Sequence, residues 1–337
     1  MSGQRQHYIP RFLLKNFKSK GSKQQSFAWV FRANAEPYET NIENIAVEKY
    51  FYTEINSTNA DGLITEAENR FACLVNVLLS SPLGRITNKD IPEFLAHLEI
   101  RTRHSRESFL RIGNHLINSL FMDIGKLKTF ILSKILTDPS ILKKSIHDKC
   151  HLPEFIVEIF YKFIVANPQL LEATLENMFP ALCENILKES TQAVTNGVKE
   201  GHLRALNESI APKGRIEKYK LFSYYTELFD NGDLILGDCA LVFAVDLERK
   251  FKPFSDKGDK INAVILPLSN DRFLIGNTSG YTIDKSMLKE AIAACSLEYF
   301  IGKHDSNENR ILKEKIGENS YLLTMEQLSE IAMRGLQ

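Results

Sequence analysis

The chain has 337 residues, 44% hydrophobic and 25% charged, which is enough apolar material for a sizeable core without covalent staples. Its 42 Lys and Arg balance 42 Asp and Glu, so the whole-molecule charge selects no class of partner. No run of about 18 uninterrupted apolar residues occurs, so no transmembrane helix is expected.

The charge is distributed unevenly. Residues 1 to 32 hold seven Lys or Arg and no acid, and the first acid is Glu36. Within this stretch lies QRQHYIPRFLLKNFKSKGSK. Pro10 fixes its own φ and pushes Ile9 into extended geometry, so His7, Tyr8 and Ile9 should run straight into a helix starting at Pro10. Eight residues are too few for an isolated helix, as lengths below about 12 are marginal in water. Phe12, Leu13, Leu14 and Phe17 are therefore expected to be buried anchors that tie the segment down. That anchoring fixes His7 and Tyr8 in space and makes them candidates to line a pocket. Lys18 and Lys20, followed by Lys23 around Gly21, read as a basic loop or as phosphate contacts. Arg11 and Lys15 interrupt the apolar run, so no signal-peptide core is expected.

Further along, SFAWVFR at 26 to 32 predicts a strand, and IAVEKYFYTE at 45 to 54 a strand or turn. From about 60 to 80 a helix is predicted, with Leu63, Ile64, Ala67, Phe71, Leu74, Val75 and Leu78 on one face. Residues 90 to 205 read as wholly helical. Pro139, Pro153 and Pro168 stand where helices should begin, and Pro180 should break or kink the next one. From 215 the texture becomes β-like. DLILGDCALVFAVD at 233 to 246 reads as two strands joined at Gly237-Asp238, and INAVILPLSNDRFLIG at 261 to 276 as a second pair. Helix returns at about 284 to 300 and 324 to 335. The expected class is α+β: a mostly helical middle and a small mixed or antiparallel sheet shared by N-terminal and C-terminal strands. The expected divisions are 1–60, 61–210 and 211–337, with the last packed against the first. Five widely spaced cysteines suggest reduced thiols in a cytoplasmic protein.

One helix breaks its own pattern. From Ile91 a single face carries Phe94, Leu95 and Leu98, then Arg101, Thr102 and Ser105, then Phe109, Ile112 and Leu116. An inward guanidinium needs a carboxylate, an anion or carbonyls, with Asp238 and Glu68 as candidate partners. Glu99 with Arg103 and Glu107 with Arg111 read as surface pairs four residues apart. His7, Arg101 and Asp238, with Glu68 as a fourth member, thus form a candidate constellation, with Tyr8, Thr102, Lys18 and Lys20 as further ligand contacts. His147-Asp148-Lys149-Cys150-His151 lacks the second pair of a structural zinc site, so no metal site is assigned. Neither a phosphate-binding glycine loop, a nucleophile elbow nor an HExxH helix occurs, and the cofactor stays unknown.

QHYIPRFLLKNF resembles the N-terminal signature of a mainly bacterial family, domain of unknown function 4238, at His7, Tyr8, Pro10, Phe12, Leu13, Leu14, Asn16 and Phe17. YFYTE at 50 to 54, the Arg101-Thr102 pair, Asp238 in LILGDCALV, and ILPLSNDRFLIG at 265 to 276 follow in the family's order. The family usually has Pro after its Arg-Thr pair. Here Arg103 follows, which is expected to leave the helix unbroken. The resemblance runs from about 6 to 300 and implies, by association, a part in bacterial accessory or phage-conflict loci.

The functional expectation is a cytoplasmic bacterial accessory protein, in anti-phage defence, that binds an anionic ligand, a nucleic acid or a partner protein in a polar cleft. The alternative is a metal-dependent phosphodiesterase or nuclease-like hydrolase. In it His7 would be general base or metal ligand, Asp238 metal ligand or orienter, and Arg101 the group that stabilises developing negative charge. A third reading is a structural protein-interaction module.

Overall fold

Pro10, at φ −57° and ψ 137°, ends a short strand and starts a helix, as its ring geometry dictates. In the computed structural model, which describes residues 5–21, 25–49, 51, 59–122, 124–246, 250–256, 258–278 and 281–335, the elements follow in this order. β1 (Arg5–His7) and α1 (Arg11–Leu14) lead into β2 (Lys20–Gly21), β3 (Ser26–Arg32), β4 (Tyr38–Asn41) and β5 (Val47–Lys49). Next come α2 (Asn59–Ser80), β6 (Gly84–Ile86), α3 (Ile91–Arg101), α4 (His104–Met122), α5 (Ile124–Thr137), α6 (Pro139–Cys150), α7 (Glu154–Ala166) and α8 (Pro168–Glu208). The chain continues through α9 (Lys213–Tyr219), β7 (Ser223–Leu228), β8 (Leu236–Gly237), β9 (Val242–Val245), β10 (Phe251–Lys252), β11 (Ile261–Pro267) and β12 (Arg272–Asn277). It closes with α10 (Leu288–Cys295), β13 (Tyr299–Gly302), α11 (Asn307–Leu312) and α12 (Met325–Gly335). The class is α+β.

The described residues form two compact units. The first holds the residues up to Phe109 together with Val198–Leu323. It contains every described sheet. A six-stranded antiparallel sheet has the order β10-β9-β11-β12-β7-β6. A second sheet, β2-β3-β13-β8 with β4 on β3, joins the two ends of the sequence: β13 pairs β3 with Tyr299 opposite Arg32 and Phe300 opposite Phe31. β1 pairs β5 alone.

The six-stranded sheet is apolar on both faces. Along β11, Val264 and Leu266 enter one buried cluster while Ala263 and Ile265 enter the other, the period of two that a pleated strand imposes. The first cluster includes Leu13, Leu14 and Phe17 of the N-terminal segment with Phe71 and Phe94 of α2 and α3. Those anchors are fully buried, and at roughly 1.5–3 kcal/mol each they outweigh the weakness of a one-turn helix. On α2 the expected face is buried except Leu63, which is exposed.

The second unit, Leu110–Gly197 with the described residues from Thr324, is helical. Asp138 caps α6 by accepting the Ser140 N–H at 3.0 Å, and Pro168 opens α8. Gly113 lets α4 approach α8, since a Cβ there would lie 2.6 Å from Val194 Cγ1. α7 leaves Phe155, Ile159, Phe160 and Phe163 exposed.

Several expectations need correction. The helix from Ile91 does not run on through Arg103. It stops at Arg101, and Thr102 is extended at ψ 156° with its hydroxyl donating to the Glu99 carbonyl at 3.2 Å. α4 then starts afresh at His104, so the apolar face counted across the break is not one face, and Phe109 is exposed. Pro180 lies inside α8, which continues through it. Pro153 sits one residue before α7. β8 and β9 are not a pair. Between them Ala240 takes a left-handed φ of 58°, and the two strands enter different sheets. The stretch expected to be helical to 300 turns into β13 at Tyr299. No helix among the described residues is long and apolar enough to cross a membrane.

Candidate functional site

The N-terminal peptide is held by its backbone as well as its rings. The Tyr8 N–H donates to the Ala46 carbonyl at 2.8 Å, and His7 Nδ1 donates to the Ile45 carbonyl at 2.9 Å. From the other side, Arg101 Nη2 donates to the His7 carbonyl at 2.5 Å. Arg101 is 1% exposed. Its Nη1 lies 2.6 Å from Glu68 Oε1 and donates to His97 Nε2 at 2.9 Å, while His97 Nδ1 donates to the Ile210 carbonyl. Of the two carboxylates proposed for it, Glu68 is the one in contact. Arg101 and Thr102 are both buried, and Arg101 fixes the course of the peptide through the His7 carbonyl.

Tyr8 points the opposite way. Its hydroxyl meets the Tyr299 hydroxyl at 2.9 Å. Tyr299 opens β13, and its carbonyl accepts the Asp238 N–H at 3.1 Å. The Asp238 carboxylate accepts the N–H of Leu297 at 2.7 Å and of Glu298 at 2.8 Å, one on each oxygen. Asp238 thereby shapes the turn that presents Glu298 and Tyr299. Burial pushes its carboxyl up to about 7 against the pull of those two N–H groups. His104, also fully buried, donates from Nε2 to the Cys295 carbonyl at 2.9 Å and lies 3.7 Å from Asp238.

These elements line an open cavity of about 90 Å³ whose polar walls are Tyr8, Arg32, Tyr38, Asn44, Arg103, Glu298 and Tyr299. Arg32 ends β3 directly opposite Tyr299, which places its guanidinium 5.3 Å from the centre of that ring. Arg103 sits in the break between α3 and α4, the position that frees it to turn towards Glu298. Each arginine reaches one oxygen of that carboxylate: Arg103 at 2.7 Å and Arg32 at 3.3 Å. Behind Arg103, Arg106 grips Glu48 with both terminal nitrogens, at 3.0 and 2.7 Å. The Arg103 Nε–H is buried with no hydrogen-bond acceptor, and Glu48 is 3.7 Å away. Burial works against the Arg103 charge, but Glu298, Tyr8 and Glu107 hold its pKa above the ordinary arginine value. Burial raises the Tyr8 and Tyr299 phenols above the ordinary tyrosine range, so both stay protonated, and because they bond to each other the pair keeps one hydroxyl proton for a further acceptor. Ala46, also on the wall, adopts φ 54°, which costs an alanine about 1 kcal/mol.

Of the residues singled out from sequence, Tyr8 lines the cavity, and His7 is its neighbour with a side chain turned to Ile45. Asp238 is buried behind the cavity, and Lys18 is exposed. Lys20 lies in β2, with its side chain outside the described residues. The sequence reading missed Arg32, Arg103, Glu298 and Tyr299. Only one signal pointed to any of them: Arg103 follows a residue pair already marked as unusual. Glu99, read as a surface partner of Arg103, is buried. It accepts from Tyr219 Oη at 2.5 Å and from the Ser255 N–H at 3.0 Å, with Arg215 at 3.5 Å. Among the described residues no group of three or more His, Cys, Asp or Glu is arranged to hold a metal ion.

The family described as Protein of unknown function (DUF4238) matches residues 5–310 of this chain. Neither the curated proteins nor the solved structures include a match.

Proposed function

The chain belongs to the DUF4238 family, and from that premise we propose that it is a binding protein whose cavity takes the anionic group of a small ligand. Arg32 and Arg103 supply the charge, and the Tyr8–Tyr299 hydroxyl pair supplies one orienting hydrogen bond, since its other proton is shared between the two rings. The observation that carries this reading is the convergence of two guanidiniums, from two different elements, on one carboxylate at the wall of a polar cavity. The hydrolase reading has less behind it. His7 spends its Nδ1 proton on the Ile45 carbonyl, and Asp238 spends both oxygens on backbone N–H groups.

Thermal shift and calorimetry of the full chain, titrated with acetate, glutamate, inorganic phosphate and a nucleoside monophosphate, test the reading. At least one anion should raise the midpoint with concentration, by the mass-action amount of about 2.7 kcal/mol at a hundred times its Kd. Arg32→Ala should abolish that rise and leave the unliganded fold intact, because Arg32 is half-exposed. No stabilising anion, or an equal response in Arg32→Ala, removes the proposal. The part in bacterial phage defence belongs to the same proposal. It requires that cells carrying the Arg32→Ala chain lose whatever reduction in plaque counts the wild-type chain confers.

A further inference from the structure

The charge balance around Arg103 narrows the ligand, on the premise that the cavity is an anion site. Three cations meet there, Arg32, Arg103 and Arg106, against three carboxylates, Glu48, Glu107 and Glu298. Glu298 is the carboxylate at the cavity wall. Glu48 and Glu107 are held on the Arg106 side, Glu48 by both of its terminal nitrogens. We infer that the ligand's anionic group is a carboxylate that takes the place of the Glu298 side chain between Arg32 and Arg103, with Glu298 its built-in competitor.

Two features support a carboxylate over a phosphate. Taking Glu298 out leaves the three paired cations facing two anions, a surplus of at most one positive charge once the partly ionised Asp238 behind the cavity is counted. That surplus matches a carboxylate. A phosphate monoester carries about −1.5 to −2 at neutral pH and would sit beside Glu48 and Glu107 with charge left over. The donor arrangement agrees. Arg103 serves Glu298 Oε1 and Arg32 serves Oε2, one donor to each oxygen of a planar group. A tetrahedral oxyanion brings further oxygens, for which the cavity wall offers no third cation among the described residues. Displacing the Glu298 side chain leaves its backbone in place, because Asp238 holds the Leu297 and Glu298 N–H groups independently of the side chain.

The test is chemical replacement of the missing carboxylate. Glu298→Ala vacates the position, and the purified full-length variant is titrated with formate, acetate and inorganic phosphate while its melting midpoint and calorimetric Kd are followed. Formate or acetate should bind the variant on the order of tenfold more tightly than wild type, the gain expected if the Glu298 side chain leaves the site open about one tenth of the time. Glu298→Gln, which keeps the shape and loses the charge, should fall between the two and serves as the readout if the alanine variant does not fold. Equal or tighter binding of phosphate overturns the carboxylate assignment and leaves the anion site standing. Failure of every anion to bind either variant better than wild type overturns both.

Discussion

At pH 5 the protein is expected to take up about three protons on unfolding, so its stability should fall by about 4 kcal/mol per pH unit as the solution is acidified. The cause is a set of histidines folded in the neutral state. Burial lowers His7 and His202 from 6.5 to about 4, and His97 and His104 to about 3. Each donates its single ring proton to a backbone carbonyl. His97 uses its other nitrogen to accept from Arg101, so a second proton there would face a guanidinium. Unfolded, these rings gain protons below 6.5; folded, they gain them only near 3 to 4. Their stabilisation is complete above pH 6.5 and disappears as pH falls. Asp238 works in the opposite direction. Its folded carboxyl keeps a proton up to about 7, while the unfolded one releases it above 3.8. Its contribution is full below 3.8 and declines as pH rises to 7. Four protons gained on unfolding against one lost leave a net uptake of about three. Urea midpoints measured from pH 4.5 to 7 give the slope, and an uptake below about one proton would show that these rings are hydrated in the folded state.

The second large effect belongs to Arg101. Its guanidinium is the only one among the described residues seen to hold the His7 carbonyl, and it also serves Glu68 and His97. Arg101→Ala removes these donors and opens a cavity beside the peptide. A loss of about 3–5 kcal/mol is expected, from deleting a large fully buried side chain together with its hydrogen bonds. Glu68→Gln should also destabilise, because it leaves the buried guanidinium facing neutral acceptors without its carboxylate. The location of the damage is specific. Once the His7 carbonyl is released, trypsin should cut after Lys15 or Lys18 well before it cuts the helical residues. An Arg101→Ala protein as stable and as protease-resistant at its N-terminus as wild type would remove Arg101 from this role.

The sequence revealed the elements more clearly than their meeting points. β3 reads as a strand because aromatic and β-branched residues fill most of SFAWVFR. α2 reads as a helix because its apolar spacing never breaks. The break at Thr102 had no such mark. HLEIRTRHSR contains neither Gly nor Pro, and the chain stops there because a hydroxyl takes the Glu99 carbonyl while the flanking arginines pull in different directions. The turn at Ala240 and the wall residue Ala46 adopt a backbone that glycine normally marks, so neither announced itself. The inward orientation of Arg101 was legible, since helical spacing from Phe94, Leu95 and Leu98 carries its side chain to the same buried side. The cavity itself was not. Arg32 and Glu298 are 266 residues apart, and only the antiparallel register of β3 with β13 brings them together. Glu99 failed for the same reason, as its partners Tyr219 and Ser255 are more than a hundred positions away.

The most direct measurement is a crystal structure of the Glu298→Ala protein grown in acetate. The expected result is planar density bridging Arg32 and Arg103 at the vacated position, with Tyr8 and Tyr299 still hydrogen-bonded beneath it. Density empty of any anion, with Arg103 turned away onto Glu48 and Glu107, would contradict the anion pocket outright.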